Sequence, residues 1–401
     1  MNGRRIASWI ARSVVVLVSA AMLAVTAYAW NTYRNATSNL ATDDVITPET
    51  PAAGQENAPL LGRKPATDTT ILLVGLDSRT DPQGRPLSRQ VLDELQAGNS
   101  DGEMNTDTMM VVHVPADPSK KAWAVSLPRD SYVDINGGFG KHKLNSAYAR
   151  GKLAAASQLR NQGKDSATVD RESTTAGRKN LIATITQLTG LHIDHYAEIN
   201  LFGFSEITNA VGGVPVCLNN PVHDSYSGAN FPAGPQTLQG VDALKFVRQR
   251  HGLNGGDLDR VRRQQAFLAG LANRMFSAGT LANPTKVNSL VDALTKAVVL
   301  DKNWDLISFA QQLNDLSGDR IEFQTIPTIR PNLPTPGDGV AVEVNPGQVK
   351  AFVQNLLNPA QSVPPEPPSD ARGKRAVMPD DRVQKIANVS PIDAGGIPCV
   401  D

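Results

Sequence analysis

The sequence predicts an α/β fold, a sandwich around one central sheet, and three observations predict it. Short apolar runs such as Ile71 to Leu76 read as strands buried on both faces. These runs alternate with segments of helical period, the pattern of a layered sheet covered by helices. The runs end in polar residues, and sheets of this class bind ligands at strand ends.

The chain opens with Arg4, Arg5 and Arg12, followed by a run from Ser13 to Trp30 that carries no charge. A run of this length crosses a bilayer as a helix. Trp9 and Trp30 stand near its ends as interfacial aromatics do, and the arginines keep residues 1–12 in the cytoplasm. Ala27-Tyr28-Ala29 also offers a signal-peptide cleavage site, but the length of the run favours a single-pass anchor over a cleaved leader. Either way the body is extracytoplasmic, and as an anchored chain it belongs to the cell membrane. Residues 31–66 are polar with scattered prolines and read as a linker between membrane and domain.

The domain spans residues 67–357. Its first strand, Ile71 to Leu76, runs into Asp77 and Arg79. An excursion over residues 80–104 holds one short helical patch, Val91 to Leu95. NTDTMMVVHV is a second strand with Asp107 at its start, and Trp123 to Leu127 is a third that leads into Arg129. Two carboxylates at strand ends suit a hard cation such as Mg2+, which takes one or two carboxylates plus substrate phosphates. Each aspartate alone is equally explained by a turn or a cap. Lys141 and Lys143 add positive charge before a short helix, and His142 has no ligand-spaced partner. Residues 151–178 read as a mobile insertion, or as an amphipathic helix followed by a loop. Asn180 to Leu188 is helical, His195 to Asn200 a strand, Phe202 to Ala210 a helix, and Val211 to Cys217 a turn into a strand. Residues 221–240 read as one long loop in which Asp224 is a weak candidate for a general base. Helices follow at Gly240 to Phe246, Ala266 to Phe276, Asn288 to Val299, Trp304 to Leu316 and Asn345 to Leu357, with a last strand at Arg320 to Ile326. The apolar helical faces between Leu258 and Val299 exceed what covers one side of a sheet; they could line a lipid cavity, and a plain hydrophobic core is the favoured reading. Residues 358–401 are a Pro-rich tail.

One stretch concentrates charge. Lys245 to Gln264 holds Arg248, Arg250, Arg260, Arg262 and Arg263 in a chain of 401 residues and zero formal net charge. Arg248 and Arg250 share a face if that segment is extended. Gly255-Gly256 breaks the chain, Asp257 can cap a helix, and Arg260, Arg263 and Gln264 then fall on one helical face. Arginine suits phosphate because its planar fork makes two hydrogen bonds and keeps its charge. Zero net charge gives no reason to bind nucleic acid, so anion binding here is local. Cys217 and Cys399 show no metal spacing. In an oxidising compartment they can form one bridge that pins the C-terminal tail, and otherwise they are two buried thiols.

GLDSR, NTDTMMVVHV, SLPRDSYVDI, GKHKLNSAYARG, HYAEINLFGF, GGVPV and VRQRHGLNGGDLDRVRRQQ occur in that order between about Thr69 and Leu271. Together they resemble the LytR-CpsA-Psr family of cell-wall enzymes. The resemblance implies an α-β-α sandwich with a hydrophobic cavity for a polyprenyl-pyrophosphate lipid. It further implies transfer of a glycopolymer phosphate from that lipid to a peptidoglycan hydroxyl. Carried over residue by residue, Asp77 and Asp107 match the carboxylates that bind Mg2+ or Mn2+. Arg79, Arg129, Lys143, Arg248, Arg250, Arg260 and Gln264 match pyrophosphate-binding positions. Catalysis falls to Arg129, Arg248, Arg250 and Asp107. The C-terminal cysteine pair resembles actinobacterial members. Many members carry Arg where this chain has Asn105, and Arg79 is the nearest substitute by sequence. Two rivals remain: a pyrophosphatase on the same lipid, and a membrane-anchored lipid-binding or regulatory module without catalysis.

Overall fold

The computed structural model describes residues 40–46, 67–81, 84–95, 104–249, 252–253, 257–276, 284–302, 304–306, 309, 312, 321–359, 391–393 and 396–401. Among them the strands in chain order are β1 (Ala41–Asp43), β2 (Thr69–Leu76), β3 (Thr106–Val114), β4 (Ala122–Ser126), β5 (Ser131–Ile135), β6 (Gly140–Lys143), β7 (His195–Asn200), β8 (Val214–Leu218), β9 (Val222–Asp224), β10 (Ala229–Phe231), β11 (Gly234–Leu238), β12 (Val298–Asp301), β13 (Ile321–Thr325), β14 (Arg330–Thr335), β15 (Gly339–Glu343), β16 (Ile392–Asp393) and β17 (Cys399–Val400). The helices are α1 (Arg89–Glu94), α2 (Ala147–Asn161), α3 (Ser166–Thr189), α4 (Leu201–Ala210), α5 (Gly240–Arg248), α6 (Asp257–Phe276), α7 (Pro284–Ala297) and α8 (Pro346–Leu357).

The central sheet is mixed and runs β1-β12-β7-β2-β3-β4-β13-β16. Alternation along β2 sends Leu72, Val74 and Leu76 to one core and Leu73 to the other, as the two-residue period requires. The first core joins them to Met109, Val111, Leu181, Ile185, Val349 and Val353, so α3 and α8 cover that face. The second joins Met110 and Ala124 to Phe246, Phe267 and Val214, so α5 and α6 cover the opposite face. Each large side chain buried this way contributes roughly 1.5–3 kcal/mol. The result is the layered sandwich the strand and helix alternation predicts.

Residues 151–178 correct the expected insertion. They belong to two long antiparallel helices, α2 and α3. Asp165 caps α3 by accepting from the Thr168 N–H, and Gly190 ends it at φ 74°. Gly151 and Gly177 let the two helices touch: an added Cβ would lie 2.5 Å from Asn180 Cβ and 2.8 Å from the Tyr148 carbonyl, respectively. The long loop expected over residues 221–240 is instead the β9–β10 hairpin and β11, which pairs antiparallel with β8. The helix expected to reach Val299 stops at Ala297, and Val298–Asp301 is β12. β13 is not the last strand, since β14 to β17 follow.

The segment expected to be linker contributes β1, which pairs parallel with β12 at the sheet edge. A three-residue strand is too short to show a period. The expected tail contributes β16 and β17, and Cys217 and Cys399 are joined by a disulfide. Among the described residues no helix is long and apolar enough to cross a membrane. The anchor expected at Ser13 to Trp30 lies outside them.

Candidate functional site

β2, β3 and β4 bring their polar ends together. The Asp77 N–H donates to the Asn105 carbonyl at 3.1 Å, which sets Asp77 beside the start of β3, where Asp107 lies. Arg79 Nη1 stands 3.5 Å from Asp77 Oδ1. The Leu127 N–H donates to the Met109 carbonyl at 2.9 Å, so the turn after β4 returns over β3 and carries Arg129 to it. Arg129 Nη1 donates to Asp107 Oδ1 at 2.5 Å. Asp130 accepts both neighbours, with Arg129 Nε at 3.5 Å and Lys143 Nζ at 3.4 Å. Five of the expected residues, Asp77, Arg79, Asp107, Arg129 and Lys143, therefore form one rim of alternating charge. Asp130, which joins two of the cations, was not among the expected site residues, although it lies in the quoted PRD motif. Arg79 stands beside Asp77, whose N–H bond to the Asn105 carbonyl places the pair next to Asn105.

The second arginine set approaches from the helices. The Leu87 N–H donates to the Arg79 carbonyl, and the excursion then leads through α1 to Leu95, whose carbonyl accepts from Arg248 Nη1 at 3.4 Å. Gln264 Nε2 donates to the Val247 carbonyl at 3.3 Å. The next residue, Gln265, donates through Nε2 to Ser126 Oγ, to the Gln324 carbonyl and to Thr325 Oγ1. Adjacent glutamines thus tie α6 both to the end of α5, where Arg248 sits, and to the ends of β4 and β13. Sequence reasoning missed Gln265; its place next to Gln264 hid its separate role.

Of the expected extended pair, Arg248 is the last residue of α5, and Gln249 after it is extended at φ −54° and ψ 134°. Arg250 itself lies outside the described residues. Arg260 is 4% exposed near the start of α6. Arg263, expected on the same anion-binding face, is fully buried and faces other protein groups: the Asp401 carbonyl, Gln249 Oε1 and the Phe246 ring. Burial pushes its pKa down to about 10. Asp224 is also corrected: it is buried, and its carboxylate accepts from the Tyr226 N–H and Ser227 Oγ, which fixes the hairpin turn.

Asp77 and Asp107 offer hard oxygen donors, and their side chains are 14% and 28% exposed. Among the described residues no group of three or more His, Cys, Asp or Glu could hold a metal. Two carboxylates are the donors a Mg2+ ion would use if phosphate oxygens and water completed its shell.

The LytR_cpsA_psr family model matches residues 28–350. The chain belongs to the LytR_cpsA_psr family. Among family relatives it is 46% identical over 313 residues to the cell wall biosynthesis protein LcpA of Corynebacterium glutamicum, covering 77% of this chain and 59% of that protein. It is 30% identical over 222 residues to the polyisoprenyl-teichoic acid–peptidoglycan teichoic acid transferase TagU of Enterococcus faecalis, covering 55% of this chain and 58% of that protein. The chain thus spans little more than half the length of these relatives. The LytR-Csp2A-Psr enzyme from Actinomyces oris shares the LytR_cpsA_psr fold at TM-score 0.51 and 19% identity, over 79% of this chain and 95% of that one. The B. subtilis TagV structure superposes at TM-score 0.52 and 21% identity, over 72% and 96%.

Proposed function

We propose that this chain moves a glycopolymer phosphate from a polyprenyl-pyrophosphate carrier to a peptidoglycan hydroxyl. The observation that carries the reading is the strand-end rim of Asp77, Arg79, Asp107, Arg129 and Lys143, with Arg248 beyond α1. A rim with both signs of charge suits a phosphate ester that arrives with a cation. The relatives' names, cell wall biosynthesis protein and teichoic acid transferase, support the same reaction class.

The acceptor hydroxyl attacks the phosphorus that bears the glycan. The bond to the bridging oxygen breaks, and polyprenyl phosphate leaves. Arg129, Lys143 and Arg248 hold the non-bridging and leaving oxygens as their charge grows, the largest catalytic effect available to such a site. Arg129 is held by Asp107 and Asp130 on one side, so its fork is oriented before substrate arrives. The hydroxyl proton goes to a carboxylate of the rim. Asp77 and Asp107 would hold Mg2+ or Mn2+, which would supply further neutralisation of phosphate oxygens. The lipid tail would lie among the apolar helices on the second face of the sheet. An N-terminal membrane anchor with the domain outside the cytoplasm places the site where both substrates are found.

The test incubates the domain with labelled polyprenyl-pyrophosphate glycan, Mg2+ and peptidoglycan fragments. Label transferred to the acceptor by the native chain, and lost in Arg248→Ala and Asp107→Ala, is the expected result. Phosphate release without transfer would give the pyrophosphatase. Lipid binding with no turnover under any condition would leave a non-catalytic binding module.

A further inference from the structure

We propose that Arg263 is a positioning residue that couples the Cys217–Cys399 bridge to the segment carrying Arg248. Arg263 is 0% exposed and makes three contacts on two elements. Its Nε donates to the Asp401 carbonyl at 3.0 Å, just beyond β17. Its Nη1 donates to Gln249 Oε1, and its guanidinium lies 5.0 Å from the centroid of the Phe246 ring. Phe246 and Gln249 flank Val247 and Arg248, and Gln249 is itself 2% exposed.

These contacts do more than fill space. Its hydrogen-bond acceptors are an Asp401 main-chain oxygen and the Gln249 amide oxygen, and Nη2 has no hydrogen-bond partner among the described residues. Desolvation of the guanidinium outweighs the favourable charges of Asp401 and Asp259, so an apolar residue of similar volume would fill the position at lower cost. What the guanidinium adds is direction: its planar fork fixes the Gln249 side chain relative to β17.

β17 cannot supply that reference unaided. It is two residues long and pairs parallel with β8, Cys399 opposite Cys217 and Val400 opposite Leu218. The bridge joins one of those two pairs covalently, across a sequence separation of 182. The Asn219 N–H to Val400 carbonyl bond and the Asn220 Nδ2 to Asp401 Oδ1 bond then orient the residue whose carbonyl receives Arg263. Bridge, β17, Arg263, Gln249 and Arg248 form one mechanical series.

The importance of Arg248 rests on the proposed phosphate reading, so the test separates the two. Hydrogen exchange of residues 244–249 is compared in the native chain, Arg263→Gln, Cys217→Ser with Cys399→Ser, and all three substitutions together. Native protein treated with a phosphine reductant provides a version with no substitution. Geranyl pyrophosphate affinity is measured beside it. Each single break is expected to speed exchange about tenfold and weaken affinity about tenfold. The combined variant should do no worse than either, because members of one series are not additive. Exchange unchanged after the bridge is broken in folded protein, or a combined effect equal to the product, overturns the proposal. Native protein that ignores geranyl pyrophosphate but shows the exchange coupling refutes only the ligand reading. Equal affinity in all forms refutes the positioning role and spares the ligand reading.

Discussion

Two arginine–carboxylate clusters sit on the same sheet and differ in how tightly they are closed. Beneath β7, Arg178 Nε and Nη2 bind the two oxygens of Glu198 at 2.9 and 2.7 Å, and Nη1 binds Asp43 at 2.6 Å. Tyr196 donates to the same Glu198, and Thr175 to Asp43. Arg178 and Glu198 hold each other charged: the arginine pKa is raised well above its usual value and the glutamate pKa lowered, each pairing outweighing the desolvation that opposes it. At the ends of β2 to β4 Arg129 binds Asp107 at 2.5 Å, but the contacts of Arg79, Lys143 and the Arg129–Asp130 pair are 3.4 to 3.5 Å, and the carboxylates of Asp107 and Asp130 are 28% and 23% exposed. A cluster that satisfies itself at short distance has little left for a ligand. One with longer contacts and accessible oxygens can exchange partners without first dismantling the fold.

Breaking the closed cluster should cost the most. Arg178→Met leaves Glu198 and Asp43 facing each other without a cation, and loss of one partner from a buried pair costs about 3–5 kcal/mol. Urea unfolding measures it, and adding Glu198→Leu should recover much of the loss. The open cluster should respond in rate. Arg129→Ala is expected to lower glycopolymer transfer about 10²–10³-fold, while its urea midpoint moves far less than that of Arg178→Met. Equal stability losses in the two variants would erase the distinction.

A third pair lies at the opposite end of β3 from Asp107 and should give the smallest effect. His113 is 8% exposed at its side chain and stands 3.3 Å from the half-exposed Asp68. Desolvation lowers its pKa despite the pull of Asp68. The unfolded chain therefore takes up this proton first, and the native state loses stability as pH falls from 6.5 toward the folded pKa. His113→Gln should flatten that part of the pH–stability curve, read from urea midpoints between pH 7 and 5.

The open cluster was legible because its residues follow apolar runs whose direction the sequence shows. Asp77, Asp107 and Arg129 need only the strand to be placed. The closed cluster was not legible, since Asp43 lies 135 residues from Arg178 and inside a segment that looks like linker. The helices α2 and α3 were half-read because their contact depends on Gly151, Gly177 and Asn180, which create no apolar stripe. Arg263 looked like Arg260 in sequence; its acceptor at Asp401 is 138 residues away. The end of α5 was misplaced by two residues, and that was enough to turn Arg248 from a strand position into a helix terminus.

The docking of β1 sets a leash length. Asp43 is clamped by Arg178 and Thr175, so the chain is fixed to the body from Ala41 onward, and residues beyond Asp43 add no reach. With the proposed anchor ending at Trp30, the steps to Ala41 span at most roughly 40 Å when fully extended. A linker free to Ala66 would span roughly 120 Å. Under the proposed anchor and activity the domain would be confined to a thin shell above the bilayer, with a lipid-borne donor at hand and only the nearest layer of wall within range.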